Sequence, residues 1–515
     1  MTSPAHVVEV LFARAADTPQ ALAFACRDGR LTWSTLLDGV LRAASALAVR
    51  GVRPGDRCAI VLPTGLPFIK AFFGAQALGA VPVAINPKLT VDQIRRRMHE
   101  VGCAAAVGDV QGTNDDGADS GAPQVLTRGD LEGAAPLSAR TLPRPAPDDL
   151  SHLQFTSGTT GSPRAAMLRN SNVTSAVAAS RELLDPRPRD LLVGWLPLHH
   201  DFGLVRFVFG PVVYGCGCHL VESSIATLPR WLETIAMTRA TITAAPDVAF
   251  RLAARLVKRD RFDLRSLRVA TSGGEPVRLG SIATFEEHFD LPGRVLPAYG
   301  LAEATLGVTA LREGEQLRVD AMNTVSCGRP MDGVRLRITG LDGRDLPAGA
   351  SGRVMVSSPG VFAGYWNDPG GTAEVLHDGW LDTGDVGAVD ADGHLYVHGR
   401  VRAMIKRGAA TIAPREIEEA VDLIEGVRRS AAIGLAAGGD STERVVLVVE
   451  ADRGVPADAL EDVRRSVAEA ASRAVGFAPS QVVLVSPGVI PRTATGKTRY
   501  DELRRQLQTR EIVEI

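Results

Sequence analysis

No stretch of this 515-residue chain approaches the run of about 20 apolar residues that a membrane-crossing helix needs, and no cationic segment followed by a long apolar one opens it. Neither a membrane span nor a secretory leader is expected. Cysteine is scarce. Six residues (Cys26, Cys58, Cys103, Cys216, Cys218 and Cys327) are thinly spread, which argues against a disulfide framework and for a reduced, cytoplasmic protein. Cys216, Cys218 and His219 form a C-x-C-H without a second ligand pair, so buried small side chains are expected there, not a metal site. Charge of one sign is also lacking. With 57 Lys and Arg against 59 Asp and Glu, nothing electrostatic recruits nucleic acid or an anionic membrane, and a small ligand is expected.

What stands out in the chain is Phe155-Thr-Ser-Gly-Thr-Thr-Gly-Ser-Pro-Arg-Ala-Ala-Met167. Gly158 and Gly161 free the backbone to turn tightly, and the hydroxyls of Thr156, Ser157, Thr159 and Thr160 can donate to phosphate oxygens, with Arg164 as the cation. The same composition also suits a surface turn between a strand ending near Phe155 and a helix starting near Asn170. The G-x-x-x-x-G-K-[ST] nucleotide loop is excluded, because Ser162 and Pro163 follow Gly161.

The length predicts three or four structural units. Residues 1–105 alternate helical and strand patterns: helices over 7–14, 34–49 and 91–101, strands over 58–62 and 81–85. Residues 111–149 turn to Gly, Asp, Ala and Pro, and a poorly ordered excursion is expected, with one apolar patch at Val125 and Leu126. The α/β rhythm resumes over 171–270 and gives way over 326–399 to short strands between Gly/Asp/Pro turns, a β-rich lobe. Beyond residue 400 a helix over 414–421, strands over 431–434 and 444–449, a helix over 457–474 and a strand over 482–485 predict a compact α+β unit.

Five further stretches follow the phosphate loop in order: Trp195-Leu-Pro-Leu-His-His-Asp-Phe-Gly-Leu204, Ser272-Gly-Gly-Glu-Pro276, Tyr299-Gly-Leu-Ala-Glu-Ala-Thr305, Trp380-Leu-Asp-Thr-Gly-Asp385 and Pro491-Arg-Thr-Ala-Thr-Gly-Lys497. Together they resemble the adenylate-forming superfamily of acyl-CoA synthetases, fatty acyl-AMP ligases, adenylation domains and luciferases, nearly end to end, and most of all the fatty acyl-AMP ligase branch. The resemblance implies an α/β protein: a large N-terminal domain of layered α/β subdomains plus a β-rich lobe (residues 1–400), and a smaller mobile α+β C-terminal domain (401–515). It implies ATP-dependent activation of a carboxylic acid to an acyl-adenylate with loss of pyrophosphate, then transfer to a thiol of coenzyme A or of a carrier protein's phosphopantetheine.

By the same resemblance, Thr156 to Gly161 hold the β- and γ-phosphates, and Glu303 holds magnesium with Thr156 beside it. Tyr299 stacks on adenine, Gly273, Gly274, Glu275 and Gly300 pass beside it, and Asp385 with Arg400 takes the ribose. Lys497 bridges the attacking carboxylate and the α-phosphate, and His200 sits at the acyl pocket. That pocket is expected around residues 200–208, 272–274 and 300–301, apolar through Phe202, Val205 and Val208, with Asp201 and Asp247 as ambiguous members. Taken singly, Tyr299 is as well explained as a core aromatic, Glu303 as a surface carboxylate, Asp385 as a turn residue and Lys497 as an exposed lysine. A non-catalytic adenylate-binding relative is the competing reading.

The chain departs from the pattern at Arg164 and Ala165, where lysine and glycine are usual. It departs again at the hinge, Arg402 and Ala403, and at Ala409, where the usual glycine of a thiol-approaching loop is replaced. Between Trp366 and Trp380 it lacks the long insertion of many fatty acyl-AMP ligases.

Overall fold

The computed structural model describes residues 6–110, 123–156, 163–187, 189–407, 410–436, 443–492 and 498–515, with the backbone alone at Arg407, Ala410 and Thr411. Two large sheets organise the first three hundred residues. A six-stranded sheet runs in the order Gln124–Leu126, Cys103–Gly108, Arg57–Val61, Val81–Ala84, Leu150–Phe155, Ala165–Arg169, parallel until the last strand. A nine-stranded sheet carries Leu306–Ala310, Val295–Leu301, Val269–Ser272, Ile242–Ala245, Leu191–Gly194 and Gly217–Leu220 as consecutive neighbours. Their strands read Cys-Ala-Ile-Val or Ile-Thr-Ala-Ala because they are covered on both faces. Helices Trp33–Val49 and Leu66–Ala77 fill the layer over the sheets so closely that a Cβ on Gly74 would lie 2.5 Å from that of Ala43. Phe72, Phe73 and Phe209 meet there edge to face.

The five-stranded lobe follows, with Arg335–Thr339, Gly352–Ser357 and Trp380–Val389 antiparallel and Leu395–Arg400 paired to the last. The chain segment 363–366 leaves this lobe to run against Ala165–Arg169. Ala363 N–H donates to Met167 O, Met167 N–H to Gly364 O and Trp366 N–H to Ala165 O, at 2.9, 2.9 and 2.8 Å. After a turn at residues 401–403, helices Pro414–Val421 and Leu460–Val475 cover one face of the sheet Val427–Ala436, Glu443–Ala451, Gln481–Val485, and Leu503 of Tyr500–Gln508 covers the other. A hairpin, Ile405–Arg407 with Ala410–Ile412, packs on the edge of this unit.

Residues 123–149 are more regular than their composition suggested. Val125 and Leu126 join the six-stranded sheet, and Thr127 caps a short helix, Arg128–Gly133, through the Asp130 N–H. Residues 111–122, the rest of that stretch, lie outside the described residues. None of the described helices is long and apolar enough to cross a membrane.

Candidate active site

The strands of the nine-stranded sheet end at a cavity of about 270 Å³ that the lobe closes from the other side. Strand Val295–Leu301 delivers Tyr299 and Gly300 to its wall across a bulge. A Cβ on Gly300 would lie 1.5 Å from the Leu306 carbonyl oxygen, so only glycine allows the next strand to pass here. Strand Val269–Ser272 ends at Gly273 and Gly274, the latter at φ +78°, and both face the same space.

Two residues from two parts of the fold converge on one carboxylate. Asp385, 5 % exposed on strand Trp380–Val389, accepts from the Tyr299 hydroxyl at 2.5 Å and forms an ion pair with Arg400, whose Nε lies 2.9 Å from its Oδ1. Arg400 is fixed further by Nη1 donating to Thr383 O. Asp385 raises the pKa of Arg400, and burial together with the same carboxylate raises that of Tyr299 well above the usual phenol value. Both groups therefore stay protonated and can only donate to Asp385. A second cluster lies across the cavity: Tyr365 donates to Glu303 Oε1 at 2.7 Å, and the Arg164 guanidinium sits 4.1 Å from the Tyr365 ring centre and 3.8 Å from Asp368. No described group bonds Oε2 of Glu303.

One carboxylate oxygen and the Thr156 hydroxyl at the same cavity are a sparse set of hard ligands. Among the described residues no group of three or more His, Cys, Asp or Glu is placed so that it could hold a metal ion. Such a set fits a magnesium ion shared with phosphates and does not fit an all-protein cage. His200 opens helix Asp201–Leu204, with Nδ1 2.5 Å from Asp201 Oδ1 and near the Phe202 N–H. Glu275 Oε1 accepts from Val248 N–H, and burial pushes its carboxyl up. Asp247 accepts from the Arg278 N–H on one carboxylate oxygen and from the Ser281 hydroxyl on the other.

Past Gly274, Tyr299 and Gly300 the space continues into a second cavity of about 240 Å³ whose far wall includes Ala403, Pro414, Thr498 and Tyr500. The two units meet beside it through Arg278 and Asp422 at 3.0 Å and through Arg415 donating to Val277 O. Ser157, Gly158, Thr159, Thr160, Gly161, Ala409 and Lys497 lie outside the described residues; Thr498, next to Lys497, faces this second cavity.

Among the described candidates, Thr156, Arg164, His200, Gly273, Gly274, Tyr299, Gly300, Glu303 and Arg400 line the first cavity, while Glu275 and Asp385 line the second. The acyl wall differs from the expected one. Phe202 faces the cavity, but Val205 and Val208 point into the core, and Arg206 takes the position on the wall. Sequence reading missed Arg206 because it sits inside an apolar run. It also missed Tyr365, whose only signal is its place beside Trp366 after Ala363-Gly364.

A profile of the family described as AMP-binding enzyme matches residues 11–366. The long-chain-fatty-acid–AMP ligase FadD26 of Mycobacterium marinum is 31 % identical over 91 % of this chain and 90 % of its own. A structure from a study of fatty acyl-adenylate ligases of E. coli and L. pneumophila superposes with a TM-score of 0.87 at 26 % identity, covering 98 % of both chains. ATP-bound MatB of Rhodopseudomonas palustris gives 0.85 at 25 % identity, covering 98 % of this chain and 99 % of that one.

Proposed function

The chain belongs to the AMP-binding enzyme family, and from that premise we propose that it activates a carboxylic acid with ATP and passes the acyl group to a thiol. The observation that carries this reading is the convergence of Tyr299, Arg400, Glu303 and Gly273–Gly274 on one cavity, with Asp385 joining Tyr299 to Arg400 from the adjoining one. A carboxylate is a poor acyl donor. Its oxygen attacks the α-phosphorus, the bond to the bridging oxygen breaks, pyrophosphate leaves, and a thiolate then displaces AMP from the acyl carbon. Positioning and charge neutralisation supply most of the rate.

In this reading Asp385 accepts from both ribose hydroxyls while Arg400 and Tyr299 hold it in place. Thr156 to Gly161 and Arg164 take the β- and γ-phosphates, and a guanidinium serves where an ammonium is usual, with forked geometry. Glu303 and Thr156 hold the magnesium ion, which neutralises phosphate charge when bound. Phe202, Leu306 and Met331 give the stem of the acid an apolar wall. Residues 401–515 form the mobile domain, and Lys497 bridges the carboxylate and the α-phosphate. The acceptor is coenzyme A or a carrier-protein phosphopantetheine. Release of pyrophosphate that depends on both ATP and an added acid, with acyl-AMP as the product, tests the reading. ATP binding without turnover of any acid would favour a non-catalytic relative.

A further inference from the structure

We propose that the acid activated here carries a second carboxylate at the end remote from the reacting one, and that Arg206 is the residue that selects it. The inference rests on the reading of this cavity as an acid-activating site. Arg206 stands alone in a run, residues 204–213, whose other members are apolar, glycine or proline. It lies in a π-helical turn, Val205–Phe209, where the Gly210 N–H reaches back to Val205 O and Pro211 brings no N–H to the next position. Val205, Phe207, Val208 and Phe209 are buried in the core, and Arg206 alone of the turn reaches the cavity.

Arg206 as a whole is 4 % exposed, and its Nε and Nη1 have no hydrogen-bond partner among the described residues. Among the described residues Tyr214 is the one ionisable group that acts on it, and that hydroxyl donates to Val177 O. Of the four acids on the cavity wall, Asp201 is engaged with His200 and the Phe202 N–H, Glu303 with Tyr365 and Asp382 with Arg353, and neither these nor Glu374 acts on Arg206. On strand Val269–Ser272, Thr271, 1 % exposed and lining the same cavity, also has a hydroxyl without a partner among the described residues. A buried cation without a counter-charge is costly to a fold and is retained where a ligand completes it. An alkyl end would leave every one of these donors unmet, and a hydroxyl or carbonyl would meet one. A carboxylate offers two oxygens to the fork of the guanidinium and a further lone pair to Thr271.

The test uses the full chain with ATP and magnesium and two series of straight-chain acids matched in length, one monocarboxylic and one α,ω-dicarboxylic, followed by pyrophosphate release. The wild type should favour the dicarboxylic member in kcat/KM by on the order of a hundredfold or more, since a site built around polar donors rejects the analogue that leaves them unpaired. Arg206→Met should abolish that preference chiefly through KM for the acid, Arg206→Lys should keep part of it, and KM for ATP should hold in both. A wild type that uses the monocarboxylic series as well or better would overturn the proposal and leave the acid-activating function standing, as would equal losses on both series in Arg206→Met. Release with neither series, in a protein that binds ATP by calorimetry, would count against both.

Discussion

Replacing Asp385 by asparagine removes one charge from the most constrained cluster in the site without changing its shape. In the native arrangement one carboxylate oxygen receives Tyr299 at 2.5 Å and the other Arg400 at 2.9 Å, leaving one lone pair on each for the two ribose hydroxyls. An amide keeps a single acceptor oxygen. Its NH2 must face either Arg400, donor against donor, or Tyr299, whose hydroxyl can turn to accept, so the amide oxygen settles toward Arg400. One ribose hydroxyl then loses its acceptor and the other bonds a neutral oxygen. With charge-assisted bonds worth about 1.5–3 kcal/mol, the loss is about 3 kcal/mol, on the order of a hundredfold in kcat/KM for ATP. Stability should fall by less than about 1 kcal/mol, because the Arg400 side chain is 43 % exposed and its pair is screened. Pyrophosphate release at varied ATP measures the first quantity and thermal melting the second. Repeating the series with 2′-deoxy-ATP closes a double-mutant cycle: the wild type should suffer from the missing hydroxyl and the variant much less. A variant with unchanged kcat/KM for ATP, or one that loses equally with both nucleotides, would remove Asp385 from the ribose.

Lys497→Ala should lower adenylate formation by on the order of a hundredfold or more with the melting temperature unchanged; acyl-AMP at the wild-type rate would refute its role. Glu303→Gln should raise the magnesium requirement for pyrophosphate release, and an unaltered magnesium titration would take Glu303 out of the metal site. Burial raises Glu418 from the ordinary carboxyl range to about 7, so its contribution to stability is present below pH of about 4.5 and lost as pH rises through about 7. Unfolding free energy should therefore fall by at most about 3 kcal/mol between these limits, and Glu418→Gln should flatten that profile in denaturant titrations at several pH values. Thioester formation with free coenzyme A should lag behind acyl-AMP formation, since Ala403 and Ala409 replace an acidic hinge residue and a loop glycine; a thioester appearing as fast as the adenylate would overturn that expectation.

The parts of the site that were legible in the sequence are those whose chemistry is written locally. Tyr299-Gly-Leu-Ala-Glu303 and Trp380 to Asp385 are contiguous motifs, so Gly300, Glu303 and Asp385 could be named as site candidates before their meeting was known, and helix Pro414–Val421 was bounded by its own proline. What escaped depends on distant packing. Tyr365 matters because segment 363–366 runs against Ala165–Arg169, two hundred residues earlier in the chain. Arg206 escaped because a single extra residue in a helical turn decides which side chain of an apolar run faces the cavity. Helix Arg128–Gly133 escaped because its Gly and Asp content outweighs one Thr127 cap in any local reading.

The three main-chain bonds that tie segment 363–366 to Ala165–Arg169 also set where the molecule can bend. They fasten the lobe to the core sheet at the end that bears Thr156 and Arg164, and Asn172 Nδ2 adds two more fastenings by donating to Pro359 O and Val361 O. Torque applied through the C-terminal unit therefore cannot be absorbed by the lobe sliding on the sheet. In the proposed rotation of residues 401–515 the turn falls on the few residues from Arg400 to Met404, a pivot held by the Ala403 and Met404 N–H groups on Arg400 O, once the Arg278–Asp422 and Arg415–Val277 contacts part. Stiffening that pivot, with proline for instance, would hold the two units against each other at residues, Arg400 and Ala403 among them, that also wall the two cavities.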